Sequence, residues 1–416
     1  MTTRLTAVST AFPLALAYLR EKPLATLLNI VLLGLGVGTI IALSLTLSQT
    51  EKSMDRDATG IDLVIGAKGS PLQIILSTVF HIDIPTGNIS VAEAERVTAN
   101  PAVKQAIPLA LGDSFKTFRI VGTSPAYMEL YGASLQSGRM WNSPLEAVIG
   151  AEVARMTGLV PNAAFASAHG LTDGGNHADH PYKVVGVLKS TGSVIDRVIL
   201  TSVESVWMVH EHSEKPDADQ KINTRNNRGH ADQENNKAVT AYLVQYATPL
   251  AAASFPRMVN ANSGLQAASP AMEIARLFNL LGFGITALKG FAIIMMVCAA
   301  LGIFVGLMNA LDERRTDLAL LRVLGASRAT VFLTIVAQGF ALGVAGVILG
   351  VSIGHAGAEW IGASLDKTHR IALTGFTVIP EEFWIAAGAL GLAVLAGVFP
   401  AWRAYRNAMP ELLSRA

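Results

Sequence analysis

Uncharged runs set the first pattern in this chain. Four stretches, Pro23–Thr50, Gly290–Leu311, Ala329–Ala358 and Phe383–Trp402, contain no Asp, Glu, Lys or Arg. About 20 apolar residues carry a helix across the bilayer core, and about 18 uncharged ones already make a candidate. The pattern therefore predicts four transmembrane helices. The first stretch is well beyond the roughly 7–15 residues of a signal-peptide core, so it reads as a retained helix. Between the first and second stretches the period changes. Short β-branched or aromatic runs bounded by Gly, Pro, Asn or Ser predict strands at Ile61–Ile65, Lys116–Gly122, Ala147–Ile149, Tyr182–Leu188, Arg197–Leu200 and Val239–Gln245. Helices are predicted over Val91–Ala99, where Ser90 and Glu93 have capping-box spacing, and over Glu152–Thr157. The fold class expected is an α-helical membrane protein with four transmembrane helices plus a large α+β periplasmic domain between helices 1 and 2. From His210 to Lys237 the chain loses nearly all apolar residues and mixes both signs of charge, the composition of a solvated, disordered insertion.

The basic residues orient the spans. Arg4, Arg20 and Lys22 precede the first, Arg314, Arg315, Arg322 and Arg328 lie between the second and third, and Arg403, Arg406 and Arg415 follow the fourth. With four spans, all three clusters fall on one side, which the positive-inside rule makes cytoplasmic. The expected organisation is a cytoplasmic N-terminus (1–22), helix 1 (23–50), a periplasmic domain (51–276, with the polar insertion at 210–237) and a stalk with helix 2 (277–311). A cytoplasmic coupling segment (312–328), helix 3 (329–358), a periplasmic loop (359–382), helix 4 (383–402) and a cytoplasmic tail (403–416) complete it. Lys289, near the outer end of helix 2, reads as a side chain snorkelling to the interface. Composition agrees with the spans: 51% of residues are hydrophobic, 15% are charged, and the mean hydropathy is +0.42. A formal net charge of +1 speaks against a nucleic-acid partner, which needs a basic patch. The single cysteine, Cys298, lies in the second stretch, so no disulfide framework or Cys-based zinc site is available.

Catalytic motifs are missing from the sequence. No Gly-x-x-x-x-Gly-Lys-Ser/Thr phosphate loop occurs, and the nearest string, Gly66-Ala-Lys-Gly-Ser70, has the wrong order and spacing. No nucleophile elbow, His-Glu-x-x-His or paired-carboxylate arrangement stands out either. The segment from Asp312 to Arg328 is more informative. Leu318, Leu321 and Leu324 repeat at helical spacing, Arg314, Arg315, Asp317 and Arg322 flank them, and Gly325 can supply the stop. This is either an amphipathic helix on the membrane surface or one that docks in a groove of a cytoplasmic partner. The nine histidines stand at 81, 169, 177, 180, 210, 212, 230, 355 and 369, all external or at the external mouth on this topology. His169, Asp173, His177 and His180 cluster, and His210 and His212 open the insertion. Neutral imidazole and carboxylate ligate zinc, so these six residues are candidate ligands, against the alternative that they are ordinary solvated side chains.

The segment E-R-R-T-D-L-A-L-L-R-V-L-G-A-S (Glu313–Ser327), directly after a span, resembles the coupling segment of FtsX-like and MacB-like ABC transporter permeases. Phe399–Leu413 resembles the end of their last helix, and L-A-L-A-Y-L-R-E-K-P-L-A-T-L-L-N-I-V-L-L-G-L-G-V-G their first, with Ala25-Thr26 where Arg-Thr is usual. Y-K-V-V-G-V-L-K-S-T-G-S-V-I-D-R-V-I-L-T-S-V-E-S-V is similar to their periplasmic core domain. The group includes macrolide exporters and the lipoprotein-releasing LolC and LolE permeases. The resemblance implies a non-catalytic permease subunit of the mechanotransmission type in the bacterial inner membrane, with both termini cytoplasmic. It implies a separate ABC ATP-binding subunit that binds the ATP, a second permease copy, a periplasmic binding protein or lipoprotein partner, and contact with membrane lipids. Cofactors are expected to be none in this chain, or zinc. Two rivals remain: an FtsX-like signalling protein that activates an envelope enzyme, and a membrane-anchored metal sensor.

Overall fold

The computed structural model of the chain describes residues 2–169, 180–211, 237–313, 320, 323, 326–368 and 373–406. The chain divides into two compact units, one of Met1–Glu51 with Leu281–Ala416 and one of Lys52–Leu280. It opens with α1 (Thr2–Glu21) and α2 (Pro23–Ala58).

The 52–280 unit is α+β. Past the end of α2, Gly60 at φ +82° turns the chain into β1 (Leu63–Ala67). Ser70 then caps α3 (Pro71–Thr78) by accepting from the Gln73 N–H, with proline at the first helical turn. The string nearest to a phosphate loop is thus the end of a strand and a helix cap. Next come β2 (Ile89–Ser90) and α4 (Val91–Thr98). The expected capping box does not form: Ser90 makes no side-chain cap bond, and the Glu93 carboxylate accepts from Gly264 N–H at 2.8 Å. The chain continues as β3 (Val103–Phe115), β4 (Phe118–Gly122), α5 (Ala126–Leu130), β5 (Leu135–Gly138), β6 (Glu146–Ile149) and α6 (Ala151–Thr157). It goes on through β7 (Ala164–Phe165), β8 (Ala168–His169), β9 (Tyr182–Leu188), a 3-10 turn (Val194–Arg197), β10 (Ile199–Thr201), α7 (Val203–Glu211), β11 (Ala238–Val239), β12 (Ala241–Tyr246), α8 (Ala251–Asn262) and β13 (Leu265–Ala268).

The spine of the sheet is β3, a strand missed in the sequence reading. Its first half pairs with β12, and its second half pairs with β4 and β8. Pairing passes from β12 to β4 between Leu109 and Ala110, and the β3–β4 register then shifts between Leu111 and Ser114. The main path runs β13-β1-β12-β3-β4-β10-β6-β9-β5, with β10–β4 and β6–β9 parallel and the other pairs antiparallel. Both faces of the sheet are covered. Val64, Leu109 and Leu243 enter one core with Ile74 of α3 and Tyr127 of α5, while Leu63, Ile65, Tyr242 and Val244 enter another with Phe255 of α8. Strands buried on both faces read as continuous apolar runs, which is why β1 and β12 stood out without alternation.

The other unit contains most of three further helices: α9 (Pro270–Glu313), whose first turns belong to the 52–280 unit, α10 (Arg328–Thr368) and α11 (Glu381–Arg406). With α2 they are long and apolar enough to cross a membrane. The segment 359–382, read as a loop, is helical up to Thr368, so α10 extends ten residues beyond its uncharged run. Helices α2 and α10 meet through small residues. A Cβ on Gly346, Gly350 or Gly354 would lie 2.6–2.7 Å from the side chains of Leu33, Val37 or Ile41. Small residues let helix backbones approach closely, the usual solution where lipid supplies no hydrophobic drive.

Candidate functional site

Three polar clusters stand out in these two apolar units. The first clamps residues 373–380, the loop before α11. The Gln49 amide of α2 both donates to Thr374 O (2.7 Å) and accepts from Thr374 N–H (2.9 Å). Glu359 of α10 accepts from Gly375 N–H at 2.7 Å. His355, one turn earlier on α10, places Nδ1 2.5 Å from Gly375 O and Nε2 3.0 Å from the Glu382 carboxylate of α11. The other Glu382 oxygen accepts from Ile379 N–H. The loop lies so close to α10 that a Cβ on Gly375 would stand 2.2 Å from His355 O.

The second cluster lies within the 52–280 unit, around the last turn of α2. Buried Asp57 accepts from Val194 N–H (2.8 Å) and from the Arg197 guanidinium (3.0 Å), and its carbonyl accepts from the Tyr131 hydroxyl. Asp196 shapes the loop that presents these groups, gathering Ser190 Oγ, Thr191 N–H and Gly192 N–H on its carboxylate. Gly150 lets that loop approach, since a Cβ there would stand 2.3 Å from Asp196 O. Hydrogen bonds continue inward from Tyr131 through Tyr127 to His81, whose Nε2 lies 3.0 Å from the Tyr127 hydroxyl. Burial, with the positive Arg119 nearby, pushes the His81 imidazole down to about 3. Burial likewise raises the Tyr127 and Tyr131 hydroxyls, so the chain is neutral at ordinary pH.

The third cluster surrounds Asp113 at the β3 register shift. Ser167 donates to its carboxylate at 2.9 Å, and His210 of α7 stands 3.5 Å away. Strand register sets the backbone of His169 opposite Asp113. Of the expected metal ligands, Asp173, His177 and His212 lie outside the described residues, and His180 and His210 are described. Among the described residues no three His, Cys, Asp or Glu come together as a metal set.

The expected coupling residues Arg314, Arg315, Asp317, Leu318, Leu321, Arg322, Leu324 and Gly325 also lie outside the described residues. Of that segment Leu320 and Val323 are helical and exposed. Its borders are defined. Lys22, between α1 and α2, pairs with Glu313 at the end of α9 (2.5 Å), and Ser327 accepts from Thr330 N–H at the start of α10.

Comparison with known proteins decides the family. Residues 26–255 match the MacB-like periplasmic core domain, and residues 289–409 match the FtsX-like permease C-terminal domain. The chain belongs to the MacB/FtsX-like ABC transporter permeases. The lipoprotein-releasing system transmembrane protein LolC of Xylella fastidiosa is 29% identical over 119 residues, 24% of this chain and 28% of LolC. The match thus spans little more than a quarter of that relative's length. Among solved structures, the periplasmic region of MacB from Actinobacillus actinomycetemcomitans is similar at 10% identity and a TM-score of 0.33, covering 53% of this chain and 96% of that one. The extracellular domain of the noncanonic ABC-type transporter YknZ from Gram-positive bacteria follows at 13% identity and 0.30, covering 50% and 99%.

Within this permease the second cluster falls on residues that carried the resemblance. The K-S-T-G-S-V-I-D-R run becomes the loop that holds Asp57, with Asp196 and Arg197 as its working residues. Sequence reasoning missed these roles because Asp57 and Arg197 are separated by 140 positions, and spacing signals only local pairs. Glu382 was missed as the partner of His355 for the same reason.

Proposed function

We propose that this chain is the non-catalytic permease subunit of an inner-membrane ABC transporter of the mechanotransmission type. A separate ATP-binding subunit docks at the 312–328 segment, both termini are cytoplasmic, and the 52–280 unit is periplasmic. Two copies of the permease form the working assembly, and the cargo is an envelope substrate moved or released by the periplasmic domain. Both family matches support this reading, and one observation of geometry carries the mechanism. Helix α2 is unbroken from Pro23 to Ala58, and its last turn is held by Asp57 to Val194 and Arg197. An axial or rotary displacement of such a helix moves the loop it is bonded to, because a continuous hydrogen-bonded helix transmits strain along its length. No phosphate loop occurs in residues 1–416, so the ATP chemistry is assigned to the partner chain.

The test is co-purification. Leu321→Asp with Leu324→Asp puts charge on the docking face, where an unpaired buried charge costs roughly 3–5 kcal/mol. Recovery of the ATP-binding subunit with the permease falls at least tenfold while membrane insertion is unchanged. Unchanged recovery would reassign the segment to the membrane surface.

Zinc is a second reading, favoured by the third cluster. His210 Nε2 stands 3.5 Å from the buried Asp113 carboxylate, and the strand register pairs the backbones of His169 and Asp113, so both His-bearing segments begin at this residue. Calorimetric titration of the untagged full-length protein with zinc then shows uptake that is lost in His210→Ala and Asp113→Asn. No uptake by the unmodified protein removes zinc from the account and leaves the transporter assignment standing.

A further inference from the structure

The imidazole of His355 has an oxygen acceptor at each ring nitrogen. Nδ1 faces the carbonyl of Gly375 and Nε2 faces a carboxylate oxygen of Glu382, whose second oxygen already accepts from Ile379 N–H. A neutral imidazole carries a single N–H, and its bare nitrogen is itself an acceptor. With a deprotonated Glu382, one of the two contacts would then set lone pair against lone pair. Two arrangements satisfy the geometry: an imidazolium donating to both oxygens, or a neutral ring donating to Gly375 while a protonated Glu382 donates to Nε2. Both hold one proton more than a neutral histidine beside a carboxylate. The count is therefore fixed whichever atom carries the proton.

The charged groups around this proton, among the described residues, are Glu382 from α11 and Glu359 from α10, while α2 contributes the uncharged Gln49. Glu359 faces the same Gly375 through its N–H. His355 and Glu382 are largely shielded, their side chains 19% and 9% exposed, so water screens the pair only weakly. The segment they hold carries Phe376 and Val378 at 88% and 78% exposure. An apolar tip is thus displayed on a loop fastened to three membrane helices.

We propose that His355 and Glu382 form a proton-loaded latch on residues 373–380, closed while the shared proton is bound and released when it leaves. The pH on the side of the membrane that residues 373–380 face then sets whether the Phe376 tip is held or free. The inference rests on the helical unit alone, so it can fail while the ATPase-coupled reading stands, and the reverse.

The latch is tested in the full-length protein in lipid nanodiscs, with Cys298→Ala removing the native thiol and Phe376→Cys carrying a nitroxide. The expected result is an immobilised label at acid pH and a mobile one at alkaline pH, separated by a single-proton transition. His355→Gln and Glu382→Gln each abolish the transition. A flat profile in the labelled parent, or the parent's transition persisting in His355→Gln, overturns the latch. Should either variant fail to fold, 15N-histidine spectra of the parent with infrared detection of carboxylic acid count the proton directly at acid pH. Two protonated nitrogens, or one with a carboxylic acid, support the proposal; a bare nitrogen beside a carboxylate overturns it.

Discussion

At the scale of single residues, burial turns ordinary side chains into determinants of pH response. In the sequence His81 is one histidine among nine. In the fold it is buried, sits at φ +57° and is held neutral down to about 3 by burial and by Arg119. The unfolded chain takes up a proton near the ordinary value of about 6.5, whereas the folded state refuses it until about 3. The histidine contribution is thus complete above pH 6.5 and is lost as pH falls through that window. Chemical denaturation of the full-length protein, followed by near-ultraviolet dichroism, should show the midpoint dropping between pH 6.5 and 4. His81→Gln should flatten that drop, and an unchanged slope would mean that other groups set the acid response. Glu146 adds a separate, weaker loss further down, since its ion pair with Arg139 holds its carboxyl at about 2.

At the scale of elements, composition located the helices and packing decided their ends and partners. Helix α9 runs from Pro270 to Glu313, about 66 Å at 1.5 Å per residue, roughly twice the bilayer core. The uncharged run marked only its membrane portion. Strand β3 went unread because it changes partners midway, and Pro108 and Gly112 interrupt its apolar residues. The contact of α2 with α10 was equally hidden, since glycines in an apolar run say nothing about which helix they face. Gly350→Val tests this contact. The ideal Cβ there already meets Val37 at 2.6 Å, and overpacking costs about 1–3 kcal/mol. A lower thermal midpoint is expected for Gly350→Val in detergent, with little change for Gly388→Val, where an added Cβ would meet no packing neighbour within 4 Å. Equal losses at the two positions would show that helix propensity, not the α2 contact, is at work.

For the whole molecule, topology is the claim most open to a decisive result. By the positive-inside rule the three basic clusters lead us to expect residues 237 and 322 on opposite sides of the membrane. A reporter active only in the periplasm should be active when fused after Lys237 and silent when fused after Arg322. The reverse pair would invert the membrane orientation and move the His355 latch to the cytoplasmic side.

The sequence by itself determined the solvent of each segment. Charge-free runs long enough to span a bilayer, basic residues between them and short β-branched runs elsewhere yield four membrane helices and one α+β unit, because hydration cost acts on composition before any contact forms. The coupling and core-domain strings also showed the family without coordinates. Only the tertiary structure decided which distant residues share a hydrogen bond or an ion-pair contact. Asp57 with Arg197, His210 with Asp113, Gln49 with Thr374 and His355 with Glu382 are joined across 27 to 325 positions. Local spacing carries no information about such pairs. They exist because backbone and side-chain polar groups left inside an apolar interior must find partners wherever the packed elements bring one within reach.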